Sequence, residues 1–289
     1  NGIGKETARE FARLGAHVVM ACRDLPRAEN LARQLIQETQ NPNIQTMECD
    51  LASFQSIHSF AKRLLASLEC TVNHIDYLVL NAGVFSAKKS FTKEGYELHY
   101  GVNYLGHFLL TMLLLPQLLE SDHPRVIGIS SFLHLVGRVD FANFKAESGF
   151  GPTSAYAQSK LATVLFSKAL ARFVDHPDFK TYSFNPGAVS TNIMGQSGWM
   201  KKISAAVLRS PRNVAKEIIG LTASPQAAPN GSYFSQEKLG KTSPLANDDT
   251  LADRLWRVSL HQCNLDEANL SLSLAAKKKE NNDRKNAMI

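Results

Sequence analysis

No stretch of this sequence is long and apolar enough to cross a bilayer as a helix. The longest apolar run, Phe108 to Leu119, is broken by Thr111, Pro116 and Gln117 and is shorter than the roughly 20 residues a span needs. Cysteine is scarce. Cys22, Cys49, Cys70 and Cys263 are the four, and their spacing makes neither a metal clip nor a C-x-x-C redox pair. No metal site is expected, and the count suits a reducing compartment. Cys22 and Cys49 end apolar runs, where burial is the expected role. Charge of one sign is lacking too. The formal net charge is +6, and Lys277 to Ile289 contribute +3 of it. The body is thus only mildly basic and carries no basic stripe, which argues against a nucleic-acid partner. Residues 263–289 read as a polar, basic, flexible tail, and 1–262 as one domain. Internal repeats are absent. So is a leading Met: the chain opens at Asn1, inside a glycine-rich turn. A nucleotide-binding sheet begins with a strand running into such a turn, so the reading expects that strand to lie ahead of Asn1.

What is present is globular. Hydrophobic residues make up 44% and charged residues 20%, which is not the balance of a disordered chain. Helical and strand patterns alternate. Helices are predicted at Lys5–Leu14, Leu25–Thr39, Ser53–Leu68 (opened by a Ser cap), Glu97–Leu119, Ser154–Phe173 and Arg212–Thr222. Short apolar strands are predicted at His17–Ala21, Ile44–Cys49, Ile75–Leu80, Arg125–Ile129, Lys180–Phe184 and Gly231–Phe234. Short apolar strands separated by helices imply α/β architecture, a doubly wound parallel sheet of the Rossmann type covered on both faces. Ligands of such sheets sit at the carboxyl ends of the strands.

The polar residues of interest fall at those ends. Gly2-Ile3-Gly4 precedes a helix, where glycines let the backbone approach a pyrophosphate and the helix start offers free N–H groups; a plain turn would look the same. Arg23 ends the second strand of such a sheet. An acid there would hold the ribose of NAD, whereas a basic group can pair with the extra phosphate of NADP, although Asp24 follows directly. Asp50-Leu51 and Asn81-Ala82-Gly83 follow the next two strands, where a cofactor, a helix cap or a tight turn would each use them. Tyr156-Ala157-Gln158-Ser159-Lys160 is the sharpest feature. Residues four apart share a helix face, so the hydroxyl and the ammonium can enter one site. The cation is expected to lower the Tyr pKa and make it a proton donor or acceptor. Of the seven tyrosines, only Tyr156 has a Lys four residues on. Ser130 and Ser131 end the preceding strand, where a hydroxyl could bond a carbonyl oxygen or simply cap a turn. Asn103 sits mid-helix, where it is mildly unfavourable; it either binds a water in a proton path or marks a helix irregularity. Pro186-Gly187 with Thr191 would turn the chain over a nicotinamide, with Thr191 on its carboxamide.

In this order the motifs resemble the short-chain dehydrogenase/reductase family, over Asn1 to about His261. Val102 to Phe108 and Ser159 to Ala162 resemble its retinol dehydrogenase-like branch, as do His134 and the long gap from Ser131 to Tyr156, which is expected to wall the substrate. The resemblance implies roles. Tyr156 is the general acid/base. Lys160 lowers its pKa and holds the nicotinamide ribose, Ser131 polarises the carbonyl, and Asn103 anchors a water that leads from Lys160 to solvent. NADP(H) is the implied cofactor, held also by the Gly2–Gly4 turn, Arg23, Asp50, Leu51, Asn81, Ala82, Gly83, Pro186, Gly187 and Thr191. The implied substrate is a small apolar alcohol or carbonyl, such as a retinoid, a steroid or another lipid-like compound, and Phe132, Leu133, Leu135 and Val136 suit it. Homo-oligomers are common in the family. Branch members are often anchored by an N-terminal segment, so the implied location is intracellular, cytoplasmic or at a membrane such as the endoplasmic reticulum. Leu80 departs from the pattern, where many members have a second Asn. A non-catalytic NADP(H)-binding regulator that kept the fold is the alternative, and the intact Asn103, Ser131, Tyr156 and Lys160 argue against it.

Overall fold

The computed structural model describes residues 2–69, 74–189, 209–223 and 228–268. Among the described residues seven strands form two sheets. β1 (Val18–Cys22) and β2 (Ile44–Glu48) pair in parallel. β3 (Tyr77–Leu80), β4 (Arg125–Ile129), β5 (Lys180–Asn185) and β6 (Tyr233–Ser235) are parallel in that order, and β7 (Lys238–Leu239) closes the row antiparallel. β1 and β3 each keep one edge without a strand partner among the described residues, and both are only partly buried, whereas β4 is buried at every residue.

Alternation along the strands explains the two-sided cover. Val126 of β4 enters a large cluster with Phe60, Leu109, Leu161 and Leu165. Ile127 and Ile129 point the other way, into a second cluster with Tyr182, Phe184, Val214 and Ile218. Side chains two apart share a face of a sheet, so one strand feeds two cores and helices must cover both. The expected doubly wound α/β architecture is what the chain adopts.

The helices begin where capping chemistry allows. α1 (Ile3–Arg13) starts after Gly2, and α2 (Leu25–Thr39) after Asp24, whose carboxylate accepts from the Arg27 N–H at 3.2 Å. α3 (Phe54–Glu69) follows Ser53, whose hydroxyl accepts from Ser56 N–H, which is the cap read from the sequence. The long helix predicted over Glu97–Leu119 is not regular. It is α4 (Leu98–Tyr100), a π-helical turn (Gly101–Leu105) and α5 (Gly106–Leu118) in succession. Next come a 3₁₀ turn (Phe132–Val136), α6 (Pro152–Phe173) and α7 (Pro211–Ala223). Among the described residues no helix is long and apolar enough to cross a membrane.

One described helix, α8 (Asp249–Gln262), lies outside the elements the sequence pattern predicts. Asp248 caps it, accepting from the Leu251 N–H at 2.9 Å. It packs on α6 through Trp256, whose ring lies 4.7 Å from Phe173 and 5.2 Å from Phe108 between centroids. Cys263 is buried just beyond it, and Leu265 packs on the same core. Truncating a buried aromatic leaves a cavity, so Trp256→Ala is expected to cost about 3–5 kcal/mol of stability. The shift of the urea midpoint measures it.

Candidate active site

The site is built where β3, β4 and β5 end and α6 begins. Lys160 is completely buried on α6, and its Nζ donates to the Ile129 carbonyl at the end of β4, at 2.9 Å. Its ammonium lies 5.4 Å from the centre of the Tyr156 ring. The helical spacing therefore does bring the pair together. The electrostatic consequence expected from the sequence is corrected. Burial pushes the Tyr156 hydroxyl up to about 12, and only a hydrogen bond with Ser131 pulls it down. Removal from water outweighs a cation whose Nζ is turned to a backbone carbonyl. At neutral pH Tyr156 is thus protonated in this state. The same burial lowers Lys160 to about 8.

The two serines that end β4 separate cleanly. The buried Ser130 hydroxyl donates to the Lys160 carbonyl at 2.9 Å, so it ties strand to helix. Ser131 faces Tyr156, and its hydroxyl also accepts from the Leu133 N–H, capping the 3₁₀ turn. Ser131 is thus a cap, as one of its alternatives has it, and it also lies beside Tyr156.

Asn103 lies in the π-helical turn, which is the irregularity read from the sequence; such turns insert an extra residue and re-aim side chains. Its Oδ1 accepts from Val84 N–H at 2.7 Å, and its Nδ2 donates to the Val84 carbonyl and to Ser159 Oγ. The side chain thus clamps the loop after β3 onto α6, and its amide is engaged with protein groups on both atoms. The Asn103 carbonyl takes His107 Nδ1 at 3.2 Å. Burial, with the Lys160 charge adding to it, holds His107 down at about 4, so it is neutral.

The glycines sit where side chains would collide. Gly2 has φ 69° and precedes α1 with no side-chain cap, leaving the first N–H groups of the helix to another acceptor. A Cβ on Gly4 would lie 2.6 Å from Asn81 Nδ2, so the first turn and the Asn81 loop touch. A Cβ on Gly83 would lie 3.4 Å from Asn103 Oδ1 and 3.6 Å from Lys160 Nζ. The Leu51 carbonyl packs on Gly106, where a Cβ would come within 2.6 Å. Asp50 closes its own turn, with Oδ1 accepting from Ala52 N–H at 3.0 Å. Ala82 is exposed. Arg23 is exposed after β1 and has no ion partner among the described residues, while Asp24 is engaged as the α2 cap. Ile3 packs on the second core. Gly187 has φ 75°, and its N–H donates to Asn185 Oδ1. Pro186 offers its carbonyl to Arg209, which is also paired with Glu217. Thr191 lies outside the described residues.

One group was missed. His99 stands edge-on to Tyr156 at 6.0 Å between ring centroids, and Phe85 does so at 5.5 Å. His99 Nε2 accepts from the Ser86 N–H at 2.9 Å, which places its proton on Nδ1, donating to Glu97 at 2.7 Å. The signal was a Glu two residues ahead of a His at a helix start, and it points to a cap rather than to a tyrosine. The insert between Ser131 and Tyr156 stacks Phe150 on His99 and lines a cavity of about 230 Å³ with Arg138, Asp140 and Asn143. Ser154, Ala155 and Gln158 of α6 face that cavity, off the Tyr156–Lys160 side of the helix.

A model of the short chain dehydrogenase family matches residues 1–201. Human retinol dehydrogenase 11 is 38% identical over 263 residues, 89% of this chain and 81% of that protein. An uncharacterized protein from Mycobacterium Paratuberculosis, of known crystal structure, is 30% identical, with a TM-score of 0.73 over 92% of this chain and 91% of that one. A short chain dehydrogenase from Escherichia coli CFT073, solved with NADPH, has a TM-score of 0.66 at 23% identity, over 82% and 93%.

Because folding lowers the Lys160 pKa from 10.5 to about 8, the unfolded chain holds a proton in that window that the folded chain has shed. The contribution of Lys160 to stability therefore rises with pH between those values. Lys160→Met is expected to flatten the rise, read from urea midpoints at several pH values across it.

Proposed function

The chain belongs to the short-chain dehydrogenase family, an oxidoreductase family, and from its site we propose that it moves a hydride between NADP(H) and a small apolar alcohol or carbonyl compound. The observation that carries this reading is the convergence of the Tyr156 hydroxyl, Ser131 and a buried Lys160 at the ends of β4 and α6.

The residues present fit the cofactor. The uncapped start of α1 after Gly2, and a first turn too close to Asn81 for a side chain at Gly4, suit a pyrophosphate. Arg23, exposed and without an ion partner among the described residues, would pair with the 2′-phosphate of NADP. Asp50, Leu51, Ala82 and Gly83 would line the adenosine and ribose path, and Pro186 and Gly187 the nicotinamide end, with Thr191 on the carboxamide. When bound, the cofactor supplies or accepts the hydride. The rest falls to side chains. Ser131 would donate a hydrogen bond to the substrate oxygen and polarise it. Tyr156, protonated at neutral pH, would give that oxygen a proton in the reductive direction and take it back in the oxidative one. Lys160, beside the ring, would stabilise the tyrosinate left behind and hold the nicotinamide ribose. Asn103 would keep the loop after β3 against α6 so that these groups stay aligned. Removal of water by the surrounding core makes each charge effect larger than in solvent.

The apolar substrate class is supported beside Ser131. Phe132, Leu135 and Val136 are 53%, 47% and 69% exposed on the 3₁₀ turn, an apolar surface at the mouth of the site. Retinoid-like, steroid-like or lipid-derived carbonyls suit it, and the relatives named retinol dehydrogenase point the same way.

Oxidation of NADPH by the chain should be followed with retinal, steroid ketones and medium-chain aldehydes. Tyr156→Phe is expected to lower kcat by about 10²–10⁴-fold while NADPH still binds; full turnover in that variant would overturn the reading. Arg23→Glu is expected to weaken NADPH at least about tenfold and leave NADH nearly unchanged, measured by fluorescence titration of each cofactor.

A further inference from the structure

Ser131 can meet Tyr156 only if the turn behind it holds still, and that turn is anchored by a side chain outside the reaction just described. His134 is fully buried in the 3₁₀ turn. Its Nδ1 lies 2.7 Å from the Ser131 carbonyl, which also accepts the His134 N–H at 3.1 Å. A carbonyl can only accept, so the Nδ1 carries the proton. The other ring nitrogen, Nε2, is then an acceptor, and it is buried with no protein partner among the described residues. A buried acceptor without a partner is a cost that Phe or Leu would not incur. Packing alone therefore does not account for a histidine here; the donor side of the ring does.

The ring also reaches across the site. It lies 4.4 Å from the Tyr233 ring between centroids. Tyr233 is hydrogen-bonded to Asn185, and Asn185 Oδ1 accepts from the Gly187 N–H at 3.1 Å. On the other side the turn is wedged against α6, because Gly137 leaves room for the Ala157 carbonyl, where a Cβ would come within 2.5 Å. His134 thus connects the turn bearing Ser131 to the turn bearing Gly187.

We propose that His134 is a positioning residue: by anchoring the Ser131 carbonyl it holds the Ser131 hydroxyl on Tyr156, and through Tyr233 and Asn185 it keeps that serine in register with the Gly187 turn. This rests on the reaction proposed above. The ring's two roles separate by substitution. His134→Phe keeps a ring against Tyr233 and loses the donor. His134→Asn restores an N–H at nearly the same place and loses the ring.

Steady-state kinetics with NADPH and the best carbonyl substrate test it in the full chain. His134→Phe is expected to lower kcat about fivefold to tenfold, the worth of one buried hydrogen bond, with the NADPH dissociation constant within about twofold of the unaltered chain. His134→Asn is expected to recover most of that kcat. In a Ser131→Ala background His134→Phe should cause no further loss, because it acts through Ser131. An equal loss in both backgrounds, or an unchanged kcat in the single variant, would overturn the proposal. Nitrogen-15 NMR of the imidazole gives a readout that needs no turnover: a proton on Nδ1 is expected, and a proton on Nε2 would overturn it. Absence of turnover in the unaltered chain, by contrast, would sink the proposed reaction, and the NMR signature would still decide whether His134 anchors Ser131.

Discussion

The Lys160 ammonium, buried with no carboxylate partner among the described residues and held by the Ile129 carbonyl, is the constraint on which the rest of the site depends. A charge in that position must be matched by dipoles, and the structure supplies them from the end of β4. The same strand end gives Ser130 to the carbonyl of Lys160 and Ser131 to Tyr156. Strand and helix are thereby joined three times over within one turn of α6. The loop after β3 is brought in from the other side by Asn103 and His99, which bond the backbone of Val84 and Ser86. Tyr156 thus stands on a frame in which Lys160, Ser130, Asn103 and His99 are already engaged with protein groups.

Tyr156 and Lys160 pull against the simple picture of a cation softening a phenol. Both are taken out of water, and burial moves their pKa values apart, the tyrosine up and the lysine down. Each is thereby held nearer its neutral form. The tyrosine is therefore a protonated phenol rather than a preformed anion, and in the reaction proposed above it would act first as a proton donor.

The doubly wound layout was legible because strand period and helix period differ, β4 being a short, mostly apolar run and β5 alternating Tyr182 and Phe184 with polar residues. Tyr156–Lys160, Asn103 and the β4 serines were legible because helical spacing and strand ends are local features. The sign of the Tyr156 shift was not, since it depends on how much water the surrounding core excludes, and no local pattern encodes that. His99 and Glu97 were missed because their partners, Ser86 and Tyr156, lie 13 and 57 positions from His99 along the chain. α8 carries local signals, an Asp248 cap and Leu251, Leu255 and Trp256 at helical spacing, but it lies beyond β6 and β7, outside the strand–helix alternation that marks the rest. Thr191 belongs to a segment outside the described residues.

The π-helical turn at Gly101–Leu105 divides one continuous helix into two rotational settings. Every residue of an α-helix turns the next by about 100°, so one residue more than a regular helix needs shifts the phase of everything on one side relative to the other. Ahead of it, His99 addresses the loop after β3; behind it, Phe108, Leu109 and Met112 address the core. The two halves could not both face their partners from a regular helix. Chain length in this stretch is consequently a coded quantity: gain or loss of a single position would swing one half of the site away from the other while leaving the hydrophobic pattern of α5 intact.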